Sequence, residues 1–166
     1  MRELPGQLTI REQGAGSREQ RAFENAGPLL DRLRADGPFP NDDALLARAR
    51  EIVTELSETE QITVINAHPR IGERADKISA LSFKEQGYAR DTTPPEVYLR
   101  LARLNEEYEQ KFGFRFVVFV NRRSQEAIVP VLEARLRGSR DDERRTALRE
   151  ILAIAADRLK REGGEG

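Results

Sequence analysis

One run in this chain, Phe114-Arg115-Phe116-Val117-Val118-Phe119-Val120, has the β-branched and aromatic density of a strand, and it has no companion. An unpaired strand leaves its backbone N–H and C=O groups without partners. The chain is therefore expected to fold as a helical protein. The run itself is expected to be either a buried helix segment or an extended piece threading the core.

The remaining periodicity agrees. Leu45, Leu46, Ala49, Ile52, Val53 and Leu56 recur at the i, i+3, i+4, i+7 spacing of one buried stripe, behind the N-cap candidate Asn41 and the acidic first-turn residues Asp42 and Asp43. This predicts a helix over about 42–56. Ser17 with Gln20 predicts a short capped helix that turns Phe23 inward and ends by Gly27-Pro28. Leu29, Leu30 and Leu33 anchor a second short segment before Gly37-Pro38. Ser57 with Glu60 forms a capping box for a helix to about Ala67, which Pro69 ends by pushing His68 out of helical geometry.

Further helices are expected in the 74–90 region, over about 95–111 behind Pro94-Pro95, from Ser124 to about Arg137, and from Asp141 to Arg161. The fold class is all-α, a single-domain bundle of about seven or eight helices. Residues 1–16 read as a flexible arm, 17–162 as the helical domain and 163–166 as a disordered tail.

Composition narrows the function. The formal net charge of −1 offers no basic excess for a phosphate backbone, so no nucleic-acid partner is expected. With no cysteine there is no disulfide framework, thiolate nucleophile or zinc ribbon, and the expected compartment is the cytoplasm. No apolar run approaches the ~18 residues of a membrane span, and the N-terminus has no signal-peptide pattern. A single histidine forbids His-Glu-x-x-His, and neither a Walker loop, a dinucleotide glycine fingerprint nor a Gly-x-Ser-x-Gly elbow occurs.

That single histidine, His68, is the one side chain whose ordinary pKa suits proton transfer near neutrality. Taken alone it reads as a capping or surface residue, Glu85 as a solvated helix residue, and Arg158 as an arginine snorkelling between the core positions Ala155 and Leu159. Together their neighbourhoods resemble a known family. Ala67-His68-Pro69-Arg70-Ile71-Gly72, then Ser82-x-x-Glu85-Gln86, then Leu104-Asn105-x-x-Tyr108-x-x-x-Phe112-Gly113-Phe114-x-Phe116-Val117-Val118 are similar to the signature of the OHCU (2-oxo-4-hydroxy-4-carboxy-5-ureidoimidazoline) decarboxylases of urate breakdown. The resemblance spans about residues 20–161.

The resemblance implies an all-helical carbon–carbon lyase with no cofactor and no metal, a small ureidoimidazoline substrate, (S)-allantoin as product, and the homodimer common in the family. It puts the catalytic histidine on His68 and the catalytic glutamate on Glu85. Substrate contacts fall on Pro69, Ser82, Gln86, Phe116, Val118, Phe119 and Arg158. Three positions depart from the family pattern: Arg122 stands where glycine is usual, Arg115 where proline is frequent, and Ala153 where lysine is frequent. If the glycine position needs a positive φ, Arg122 is strained or the loop is reshaped. These departures leave room for a second reading, a family member that binds a ureide or imidazoline ligand without turnover. A helix-bundle interaction module is a third, and it predicts an exposed apolar stripe in place of an enclosed polar pocket.

Overall fold

The computed structural model describes residues 17–72 and 93–164, and the helix expected over 74–90, with Ser82, Glu85 and Gln86, lies outside them. Among the described residues there are seven helices and no strand: α1 (Arg18–Phe23), α2 (Gly27–Asp36), α3 (Asp42–Glu55), α4 (Glu58–Asn66), α5 (Pro95–Phe112), α6 (Gln125–Arg135) and α7 (Arg140–Gly164).

The caps read from sequence are in place. The side chains of Ser17, Asn41, Ser57 and Ser124 accept hydrogen bonds from the backbone N–H groups of Gln20, Ala44, Glu60 and Ala127, and Glu60 returns the bond to Ser57 N at 3.0 Å. Each such cap is worth ~1 kcal/mol. Gly27-Pro28 opens α2 as well as following α1, because the fixed φ of proline suits a first helical turn. The last helix continues to Gly164, so Gly163 and Gly164 carry helical backbone.

Helix α7 is the central element, packing against α1, α3, α4 and α5, while α6 lies on α5 and α2 bridges α3 and α4. Phe23, Leu29, Leu33, Leu45, Ile52, Ile65, Leu101, Ile128 and Leu132 are wholly or almost wholly buried in one continuous core. Each such side chain contributes ~1.5–3 kcal/mol by leaving water.

Phe114–Val120 resolves the alternative left open by the sequence: it is the extended piece, neither helix nor ladder. Gly113 starts it. At φ 83 this glycine adopts the left-handed C-terminal cap of α5 and turns the chain across the core. Five backbone groups of the segment are met by side chains. Asn66 Oδ1 accepts from Arg115 N (3.0 Å), Glu150 Oε1 accepts from Phe119 N (3.3 Å), Arg135 Nη1 donates to Val117 O (2.6 Å), and Arg123 donates to Phe119 O (2.6 Å) and Val120 O (2.9 Å). Four polar side chains thus do part of what a neighbouring strand would do.

Candidate active site

The end of α4, the extended segment and the last third of α7 frame a cavity of about 50 Å³, lined by His68, Pro69, Phe116 to Asn121, and one face of α7. That is several times what one water requires. Of the residues expected from sequence, His68, Pro69, Phe116, Val118, Phe119 and Arg158 meet here. Glu85, Ser82 and Gln86 lie outside the described residues.

His68 arrives because α4 stops. Its N–H donates to Ile65 O at 3.2 Å, and Pro69 removes the next donor. The following loop is fastened to α5: Arg70 forks onto Glu109 at 2.6 and 2.9 Å, and the buried Asn105 donates to Ile71 O at 3.0 Å. Gly72 then turns the chain at φ 77, a region that favours glycine. Asn105 and Tyr108 of the Leu-Asn-x-x-Tyr motif therefore serve as struts, one for the histidine loop and one for the network below.

The His68 ring is not the exposed cap that its composition suggested. Its Nδ1 is out of solvent and makes no hydrogen bond among the described residues. Burial first, and the positive charge of Arg158 second, lower its pKa from 6.5 to about 4, with the Val64 carbonyl opposing them. The imidazole is neutral at physiological pH and so available to accept a proton.

Arg158 corrects a second expectation, since its side chain is 4% exposed instead of snorkelling. Nη1 donates to Ala22 O at 3.3 Å, and Nη2 pairs with Glu24 at 3.6 Å, so the last turn of α1 holds the guanidinium at the cavity. Glu24 itself sits at φ 31, and Gln20 Nε2 donates to its carbonyl at 2.9 Å. Sequence reasoning missed Asp157 and Arg161, an ion pair at 2.9 Å that also lines the cavity. Their signal was present in the spacing, because Ile154, Asp157, Arg158 and Arg161 fall on neighbouring positions of one helix face.

Under the wall lies a buried polar network. Arg135 Nε and the Tyr108 hydroxyl both donate to Glu143 Oε1 at 2.7 Å, and the Arg135 guanidinium lies 4.6 Å from the centre of the Phe116 ring. Burial, and then the Glu143 carboxylate, raise the Tyr108 pKa, so the hydroxyl stays a donor. Through Val117 O the network fixes the backbone of the cavity wall to α5, α6 and α7. Among the described residues no group of three or more His, Asp and Glu side chains stands ready to hold a metal ion.

A family model for OHCU decarboxylase matches residues 14–160. The chain belongs to the OHCU decarboxylase family. It is 33% identical over 137 residues to the 2-oxo-4-hydroxy-4-carboxy-5-ureidoimidazoline decarboxylase of Haloferax volcanii, covering 82% of each chain. It is also 33% identical to the mouse protein of the same name, over 74% of this chain and 71% of that one. With a uric acid degradation bifunctional protein of a Bacillus species it shares 34% identity, over 87% of this chain and 29% of the longer protein. The fold matches the crystal structure of OHCU decarboxylase in the presence of (S)-allantoin with a TM-score of 0.73, over 88% of this chain and 97% of that one at 24% identity.

Arg122 adopts φ 64, and Asn121 before it φ 51, so of the two alternatives left by the sequence it is the strained backbone that the chain shows. Arg122→Gly is expected to stabilise the fold by ~0.5–1 kcal/mol, the relief of a left-handed side chain less the chain entropy glycine adds. Chemical denaturation of both proteins checks this, and an unchanged or lower midpoint would contradict it.

Proposed function

We propose that this chain converts 2-oxo-4-hydroxy-4-carboxy-5-ureidoimidazoline to (S)-allantoin in urate breakdown, by cofactor-independent decarboxylation with His68 and Glu85 as its proton-handling pair. The observation that carries the reading is the convergence of a neutral, half-buried His68, its Nδ1 out of solvent, and a buried Arg158 on one cavity, in a chain of this family.

The substrate supplies the hard part of the chemistry. Its carboxylate sits on a carbon next to a C=N bond, so the electrons released as CO2 leaves flow into the imine. What the protein must add is orientation, proton handling and a choice of face. His68 and Glu85 manage the proton of the substrate hydroxyl and deliver a proton to one face of the enol-like intermediate. Neutral imidazole is the form required to take a proton first.

Arg158 holds an anionic or carbonyl oxygen of the substrate by a forked, charge-assisted contact, and its anchoring to α1 fixes the fork in advance. Pro69, Phe116, Val118 and Phe119 supply the apolar walls, and the reading assigns substrate contacts to Ser82 and Gln86 as well. The reading includes a cytoplasmic location and a homodimer.

Substrate freshly generated from urate tests the activity directly. Addition of the protein is expected to accelerate CO2 release above the spontaneous rate, whereas allantoin binding without acceleration would favour the non-catalytic reading. Arg158→Lys is expected to raise KM by about tenfold with a smaller change in kcat, because an ammonium cannot reproduce a planar fork. An unchanged KM would remove Arg158 from substrate binding.

A further inference from the structure

Arg115, at the head of the extended segment, stands outside the cavity lining. Its backbone N–H donates to Asn66 Oδ1 at 3.0 Å, and its Nη1 donates to two carbonyls, Asn66 O at 2.9 Å and His68 O at 3.1 Å. These carbonyls belong to the last residue of α4 and to the histidine itself. The final carbonyls of a helix have no intrahelical donors, and a cation there is favoured by the helix dipole.

The position of Arg115 in the chain gives these bonds a consequence. The next residue, Phe116, is the first of this segment's part of the cavity wall, so Arg115 is covalently joined to the wall and hydrogen-bonded to the backbone of the histidine facing it. His68 is held on its N-terminal side by the Ile65 carbonyl, and Pro69 offers no N–H to hold the other side. Arg115 supplies that missing restraint. The struts from Asn105 and Glu109 engage the loop only from Arg70 onward.

We propose that Arg115 is a positioning residue that fixes the His68 backbone, and with it the imidazole, against the wall formed by Phe116 to Val118. The proposal rests on His68 being the proton-handling group. In this chain an arginine side chain does by hydrogen bonding what a more rigid residue at the same position would do by restricting the backbone.

The test is a double-mutant cycle on the intact chain, with decarboxylation measured above the spontaneous rate. Because misplacement of a reacting group by about 1 Å can cost ~10²-fold, Arg115→Ala is expected to lower kcat by about tenfold with KM changed less than twofold. In a His68→Asn background the same substitution is expected to cost nothing further, since there is no imidazole left to place. Arg115→Lys, which keeps a charged donor, should recover part of kcat and guards against misfolding of the alanine variant. The chain's single histidine also gives one unambiguous set of imidazole NMR signals, expected to move in Arg115→Ala while the dispersed amide spectrum is retained. Equal losses of kcat in both backgrounds, or no loss in either, would overturn the positioning role. A His68→Asn protein with wild-type turnover would overturn the His68 reading, and the proposal with it, before Arg115 is altered.

Discussion

His68→Asn is expected to give a folded protein whose decarboxylation falls by ~10²–10⁴-fold, the usual contribution of a positioned acid–base group. Asparagine is neutral and of similar breadth, so it replaces a side chain that is itself neutral in place. The expected pH behaviour separates His68 from an ordinary surface histidine. With its pKa lowered from 6.5 to about 4, chiefly by burial, the acid limb of kcat/KM that reports His68 is expected near pH 4.

Stability carries the same signature. A folded-state pKa below the unfolded value means that the unfolded chain binds the proton more readily. The cost is absent above pH 6.5 and grows as pH falls toward 4. Wild type should therefore lose more stability than His68→Asn between those two values. Parallel stability profiles, or an acid limb at 6.5, would contradict the burial of this ring.

The second large effect is structural. Glu143→Ala removes the acceptor shared by Arg135 and Tyr108 and leaves a guanidinium only 11% exposed without its carboxylate. Breaking a buried pair from one side costs ~3–5 kcal/mol, far more than the intact pair contributes over an apolar substitute. For a domain of this size that corresponds to a fall in Tm of roughly 6–20 °C. Glu143→Gln, which keeps an acceptor but not the charge, should fall between. Thermal and denaturant unfolding read both variants, and a loss below about 1 kcal/mol for Glu143→Ala would mean that Arg135 finds solvent instead. Because Arg135 also holds Val117 O, a weakened wall should appear as a raised KM in whatever Glu143→Gln protein remains folded.

These two predictions differ in how visible their residues were. The helices were legible because apolar spacing and capping chemistry are local. Asn41, Ser57 and Ser124 each announced a helix start that the fold keeps, and the ends agree within about two residues. His68, Pro69, Phe116, Val118, Phe119 and Arg158 were legible through resemblance. Their meeting at one cavity was not, since it depends on α7 crossing the end of α4.

Long-range polar partners left no local mark. Glu143 looks like one more acidic residue in a helix's first turn, and Arg135 like one more basic residue in a last turn, yet Glu143 is buried and the Arg135 side chain is only 11% exposed. Phe114–Val120 stayed ambiguous for the same reason. Whether an isolated extended run is tolerable depends on donors and acceptors far away in sequence, here Asn66, Arg135 and Glu150. Arg158 reversed its default because the end of α1 offers it a carbonyl and a carboxylate.

The most direct test of the central claim is stereochemical. Urate is oxidised and hydrolysed to the ureidoimidazoline in the presence of this protein, and circular dichroism follows the allantoin formed. The expected result is rapid appearance of optically active (S)-allantoin with wild type and slow, racemic product with His68→Asn. Racemic allantoin formed by wild type at the spontaneous rate would contradict the account.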